Sequence, residues 1–195
     1  MTTVAIVLSV FLADPGEDLA SLNCCGPFAL QVCALVAGGD VSHDRVLQLV
    51  PISEDGCSLD DLDYAAQALG LRTLALRWQG ELPKSPFPPA VIPVVNRRGV
   101  RHFVAMLARE GDQVLVVDAP HRPVWVPIES LHSSLKWDGH ALHVAVDDVA
   151  IELLRRHFET PPGWLWLGAA PAALVLCAAL RKFHSSRGRL TAMHQ

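Results

Sequence analysis

The hydrophobic period of this sequence changes once, at Gly70, and that change constrains the fold more than any other feature. Before Gly70 the apolar side chains recur at helical spacing, as Leu59 and Leu62 do on one face. After it they alternate with other side chains, as Leu74 and Leu76 do, which is typical of strands. Helices followed by a block of antiparallel strands predict an α+β domain, with the N-terminal helices packed on an antiparallel sheet.

The helices of the first third of the chain are bounded by residues that start or stop a helix. The apolar run from Phe28 to Ala37 lies between Gly26-Pro27 and Gly38-Gly39, the pattern of a buried helix with a glycine end. Two further helices are expected to begin at the capping residues Ser42 and Ser58.

Six apolar stretches predict the strands. They are residues 73–78, 90–95, 102–108, 113–118, 124–126 and 140–146, with a short helix at 127–135. The residues from Arg109 to Asp112 favour a hairpin. A turn centred on Glu110-Gly111 places His102 across from Asp118 or Ala119, so the histidine and the aspartate are predicted to be neighbours.

The composition excludes some classes of protein and points to lipid. The 195 residues are 51% hydrophobic and 18% charged, with a net charge of −4, which excludes a disordered chain and a nucleic-acid-coating protein. The mean hydropathy of +0.29 is high, and the excess lies in Gly163 to Leu180, a stretch without charge. Trp164 and Trp166 lie near the start of this stretch and Arg181 follows its end. The stretch therefore predicts a C-terminal transmembrane helix.

The chain therefore divides into five predicted segments. They are an N-terminal apolar segment (1–19), the α+β domain (20–146), an amphipathic connector (147–162), the transmembrane helix (163–180) and a basic tail (181–195). Residues 4–13 fit a signal peptide and a first strand equally well. If the N-terminus is exported, the positive-inside rule leaves the basic tail in the cytoplasm and the α+β domain on the opposite side of the membrane. If the N-terminus is not exported, the domain is cytoplasmic. We expect a single-pass membrane protein, with the side left open.

Cys25 is the candidate nucleophile. It precedes Gly26-Pro27 and so stands at the N-terminus of the buried helix, where the helix dipole favours a thiolate. His102, oriented by Asp118, has the chemistry to take the thiol proton and return it to a leaving amine. Cys24 is adjacent but lacks the following Gly-Pro, so we interpret it as a structural neighbour.

Four motifs carry a family resemblance. They are Cys-Gly-Pro at 25–27, Ser-Leu-Asp-Asp-Leu at 58–62, His-Phe-Val at 102–104 and Val-Val-Asp-Ala-Pro at 116–120. Over residues 20 to 146 the sequence resembles the bacteriocin-processing, or double-glycine, cysteine peptidases of the papain-like clan. The resemblance implies a papain-like fold, with Cys25 as nucleophile, His102 as general base and Asp118 as the residue that orients it.

The sequence departs from this family at the oxyanion hole. The family usually carries a glutamine six residues before the nucleophile, and this position is Leu19. Ser21 and Asn23 are the candidate replacement donors. Because the loss of one such donor slows an enzyme without abolishing it, the resemblance predicts a cysteine peptidase. The alternative is a relative that binds peptide tails without cutting them, and amide hydrolysis or acyl transfer on a non-peptide substrate also stays open.

The expected partners are a peptide or protein substrate and membrane lipid, without nucleic acid. The resemblance implies small residues such as Gly-Gly before the cut. The five cysteines show no metal-ligand spacing and the chain has no Walker motif, so neither a metal nor another cofactor is predicted.

Overall fold

The computed structural model describes residues 24–54, 56–79, 82, 87–95, 99–118 and 121–159. The chain divides into two compact units, Met1–Arg155 and Arg156–Gln195. Of the second unit, the structure describes residues 156–159, which end a helix. The predicted segments 1–19 and 163–180, with Leu19, Ser21 and Asn23, lie outside the described residues. Within the described ranges no helix is both long and apolar enough to cross a membrane.

Three helices precede the sheet, as the capping signals predict. Helix α1 is Cys25–Val36, α2 is His43–Leu49 and α3 is Leu59–Ala68. The Ser42 side chain accepts a hydrogen bond from the Arg45 backbone N–H at the start of α2. Ser58 and Asp61 form a reciprocal capping box at the start of α3. These short-range bonds fix where each helix begins, and therefore where the loop before α3 lies.

The strands form one six-stranded antiparallel sheet. They are β1 Arg72–Arg77, β2 Ala90–Val95, β3 Arg101–Glu110, β4 Gln113–Val117, β5 Val124–Pro127 and β6 His140–Ala145, in the order β1-β6-β2-β3-β4-β5. Helix α4, Ile128–Ser133, separates β5 from β6, and α5, Asp148–Glu159, follows β6. The predicted α+β class with an antiparallel sheet is confirmed.

The register predicted for the β3–β4 hairpin is wrong by a residue or two. The turn centres on Gly111-Asp112, because Glu110 pairs with Gln113 and Gly111 takes the left-handed φ of 57°. A two-residue hairpin loop that begins with glycine matches the twist of its strands. A β-bulge between Met106 and Ala108 shifts the register further along β3, so that Ala105 pairs with Val117. His102 and Asp118 are therefore diagonal rather than direct neighbours, a distance that long side chains still bridge.

The sheet carries a hydrophobic cluster on each face. On one face α1 and α3 pack against inward residues of β2, β3 and β6, such as Val91, Ala105 and Leu142. On the other face Ile92 and Met106 pack with side chains outside the sheet, which include Leu131, Trp137 and Leu154. This arrangement puts the N-terminus of α1 beside the start of β3.

Candidate active site

Cys25 is the first residue of α1 and lines a cleft of about 700 Å³. The helical wall of the cleft comes from the loop before α3 and from its first turn, including Cys57 and Leu59. The opposite wall comes from β2 and β3, including Val94 and Phe103. The lining also includes charged side chains such as Arg101 and Lys136, and Cys25 itself is partly exposed.

Gly26 allows α1 to approach the walls this closely. A Cβ on Gly26 would lie 2.5 Å from the Cys57 Sγ and 3.2 Å from side-chain carbons of Leu62 and Phe103. Real Cβ atoms do not come within 3.0 Å of such neighbours. Packing thus accounts for the glycine that follows Cys25 in the Cys-Gly-Pro motif.

His102 and Asp118 are hydrogen bonded. The Nε2 of His102 lies 2.5 Å from the Oδ1 of Asp118, which accepts the ring proton. The predicted contact between these residues is therefore present. Because Nε2 is bound to the carboxylate, Nδ1 is the ring nitrogen left for the hydrogen bond that His102 makes with the Cys25 thiol. Cys25, His102 and Asp118 form a continuous chain.

The surroundings of Cys25 and His102 favour an ion pair. Burial raises the pKa of the Cys25 thiol, but hydrogen bonds from His102 and from the backbone N–H groups of Phe103 and Gly26 outweigh burial and leave that pKa below 9.0. The hydrogen bonds with Asp118 and then with Cys25 raise the pKa of His102 to about 10, against the effect of burial. Each shift stabilises the charged form, so the arrangement favours a thiolate beside an imidazolium.

The neighbouring cysteines differ from Cys25. Cys24 is 2% exposed, and burial and the charge of Cys25 raise the pKa of its thiol. Burial first, and then Cys25, raise the pKa of Cys57 to about 12. Of these three thiols, Cys25 is the one whose pKa is lowered.

Two features of the cleft were missed by the sequence reasoning. Cys57 lines the cleft, although its place just before the Ser58 cap carried no sign of contact with α1. Asp138 also lines it and binds the Nδ1 of His140 through an oxygen 2.8 Å away, a second aspartate–histidine pair. The sequence signal for this pair is Asp-Gly-His at 138–140, an aspartate and a histidine two residues apart.

The described residues include neither a cluster of metal-ligating side chains nor the oxyanion donors predicted from the sequence. Within them, no group of three or more histidine, cysteine, aspartate or glutamate side chains is placed to hold a metal ion. The candidate donors Ser21 and Asn23 and the departure at Leu19 lie outside the described part of the chain, so their roles stay predictions.

A model of the peptidase C39 family matches residues 20–148. The chain belongs to the peptidase C39 family. This is the double-glycine peptidase family that the motifs indicated, and its members are cysteine peptidases. A comparison with curated proteins finds no match.

Solved peptidase domains share the fold. The peptidase domain of Streptococcus ComA, a bi-functional ABC transporter of a quorum-sensing pathway, is 19% identical, with a TM-score of 0.52 over 63% of this chain and 91% of that one. A double glycine motif protease from an AMS/PCAT transporter, solved with its leader peptide, is 23% identical, with a TM-score of 0.52 over 62% and 82%. The C39-like domain of a Vibrio parahaemolyticus toxin secretion protein is 19% identical, with a TM-score of 0.50 over 62% and 95%.

Proposed function

We propose that this protein is an active cysteine peptidase in which Cys25 is the nucleophile, His102 the general acid and base, and Asp118 the residue that orients the imidazole. One observation carries the proposal: the unbroken contact from the Cys25 thiol through His102 to Asp118, at the wall of an open cleft. Membership of a cysteine peptidase family supports it independently.

The reaction follows from this arrangement. The Cys25 thiolate attacks the scissile carbonyl carbon, and the negative charge that develops on oxygen faces the first N–H groups of α1, which have no partner within a helix. The imidazolium of His102 then gives its Nδ1 proton to the leaving amine, which frees the amine and leaves a thioester on Cys25. Neutral His102 next removes a proton from water, and the resulting attack releases the acid and restores the ion pair. Asp118 holds the ring in one orientation throughout.

The proposed substrate is a peptide with small residues before the cut. Two facts support it: the family is that of double-glycine peptidases, and a solved relative named a double glycine motif protease holds a leader peptide. Cleft residues Leu59 and Pro93 are partly exposed and offer apolar contacts to an extended chain. We also propose that residues 163–180 anchor the peptidase domain to a membrane, on the strength of their uncharged apolar sequence.

A second candidate function is peptide binding without cleavage. The observation that favours it is Leu19, which stands where the family carries its oxyanion glutamine. A domain of this kind keeps the cleft and holds a peptide, but stabilises the tetrahedral intermediate too weakly to cut it.

The two candidates are separated by incubating the full chain with a peptide that carries Gly-Gly before a chosen bond and with a matched peptide that carries Leu-Leu there. We expect the first peptide to be cut after Gly-Gly and the second to remain intact. Cys25→Ala should abolish cutting, whereas Cys24→Ser should retain it. Binding of the Gly-Gly peptide without cleavage by the wild type contradicts the peptidase and supports the binding module.

The anchor has its own test. We expect membranes from cells that express the full chain to retain it through alkaline carbonate extraction, and a chain that ends at residue 159 to be released. Release of the full chain by carbonate contradicts the anchor.

A further inference from the structure

We propose that Cys57 is the resolving thiol of a reversible, peroxide-driven disulfide with Cys25, which turns the peptidase off. The proposal rests on Cys25 being the nucleophile of the proposed function. Its structural basis is a pair of accessible cysteines, from different elements, that line the same cleft.

The distance between the two residues is set by Gly26. The Cys57 sulfur lies 2.5 Å from the place of a Gly26 Cβ, hence within about 4 Å of the Gly26 Cα, a C–C bond being about 1.5 Å. The Cys25 Cα is the next one along the chain, about 3.8 Å away. Together these distances place the Cys57 Sγ within about 8 Å of the Cys25 Cα. Disulfides join cysteines whose Cα atoms are about 4.4 to 6.8 Å apart, so the bridge requires both side chains to rotate and the loop before α3 to move toward α1.

The other described cysteines are poorer partners. Cys24 is buried and does not line the cleft, and Cys33 is fully buried within the core under α1. A bridge from Cys25 to either one would need α1 to unwind or its core to open. Cys57 instead lies in the loop just before Ser58, outside regular structure.

The reaction balances with a peroxide as the oxidant. The Cys25 thiolate attacks the O–O bond and becomes a sulfenic acid, and the released oxygen takes a proton and leaves as water or an alcohol. The Cys57 thiol then attacks the sulfenic sulfur, loses its proton, and expels water as the S–S bond forms. The two sulfurs lose two electrons in total to the peroxide. An added dithiol reverses the step by exchange.

The charges of the site set this order of events. Cys25 reacts first because it is the thiolate, whereas burial and the negative charge of Cys25 keep the pKa of Cys57 high. Once Cys25 is a neutral sulfenic acid, its contribution to the pKa of Cys57 disappears. Cys57 then ionises more readily, at the moment when its attack is needed.

The experiment treats the purified full chain with increasing hydrogen peroxide and follows it by intact mass and by non-reducing peptide mapping. We expect the wild type to lose two hydrogens, to give a cross-linked peptide that joins Cys25 to Cys57, and to return to the dithiol with dithiothreitol. In Cys57→Ser the cross-link should be absent, and Cys25 should advance to the sulfinic acid, which dithiothreitol does not reverse. Cys24→Ser is the matched control and should form the cross-link as the wild type does.

Three outcomes overturn the proposal: a cross-link from Cys25 to Cys24, direct passage of wild-type Cys25 to the sulfinic acid, or the same reversible product in Cys57→Ser. Cys57→Ala repeats the test if the serine variant fails to fold. Mass and mapping do not depend on peptide cleavage, so a chain that forms the cross-link but cuts no peptide refutes the proposed peptidase alone. A chain that cuts peptide but forms no cross-link refutes this inference alone.

Discussion

The hydrogen bond between Asp118 and His102 should set the pH at which His102 loses its proton, and Asp118→Asn tests this. The amide keeps the shape of the carboxylate but removes the charge that accepts the Nε2 proton across 2.5 Å. Without that charge the imidazolium is less stable. The pKa of His102, which the bonded carboxylate raises to about 10, should therefore fall.

The size of the pKa change follows from the solvent exposure of the Asp118–His102 pair. A hydrogen bond to a charged group contributes about 1.5 to 3 kcal/mol. The Asp118 side chain is 44% exposed, so solvent screening places this one at the lower end of that range. Because one pKa unit corresponds to about 1.4 kcal/mol, the pKa of His102 should fall by about one unit.

The measurement is the rate at which the Gly-Gly peptide is cut as a function of pH, because loss of the imidazolium proton sets the alkaline limb of that profile. We expect the midpoint of the alkaline limb to move downward by about one pH unit in Asp118→Asn. Asp138→Asn is the matched control, because it removes the same charge from the same cleft but from the pair with His140. An unmoved midpoint in Asp118→Asn, or an equal shift in both variants, refutes the reasoning.

Two further predictions concern the stability of the fold. Gly26→Ala should lower the free energy of unfolding by about 1 to 3 kcal/mol in urea denaturation, because its Cβ meets Cys57; Cys57→Ala should restore part of the loss, and no loss at all would contradict the packing. His143 donates a hydrogen bond from Nδ1 to the Pro88 carbonyl and accepts one at Nε2 from Trp78. Burial lowers the pKa of His143 to about 4. The unfolded chain protonates His143 below pH 6.5, whereas the folded chain does so only near pH 4. The free energy of unfolding should therefore fall by about 3 kcal/mol as the pH falls from 6.5 to 4. An equal fall in His143→Gln would contradict the assignment of this pH dependence to His143.

Features fixed by neighbouring residues could be predicted from the sequence. The capping box of Ser58 and Asp61 depends on residues three apart, and its bonds form as the pattern indicates. The contact of His102 with Asp118 was also predicted, even though the turn was misplaced. A diagonal pair on two adjacent strands tolerates an error in register, because long side chains reach beyond the residue directly opposite.

Features that depend on distant parts of the chain could not be predicted. Strand β6 inserts between β1 and β2, so His143 pairs with both Leu74 and Ala90. Nothing in the period of these strands specifies their order, because a period of two shows which side chains share a face and not which strands are neighbours. The approach of Cys57 to Gly26 arises from the packing of α1 on β3 and of α3 against α1, which no local pattern encodes.

Trapping the acyl-enzyme bears most directly on the role of Cys25. The wild type is mixed with the Gly-Gly peptide, quenched in acid within one turnover, and examined by mass spectrometry for a thioester. We predict that the N-terminal part of the peptide is attached to Cys25, and that it is absent in Cys25→Ala. Cleavage of the peptide by Cys25→Ala at the wild-type rate, or an acyl group found on another residue, would contradict the assignment of Cys25 as the nucleophile.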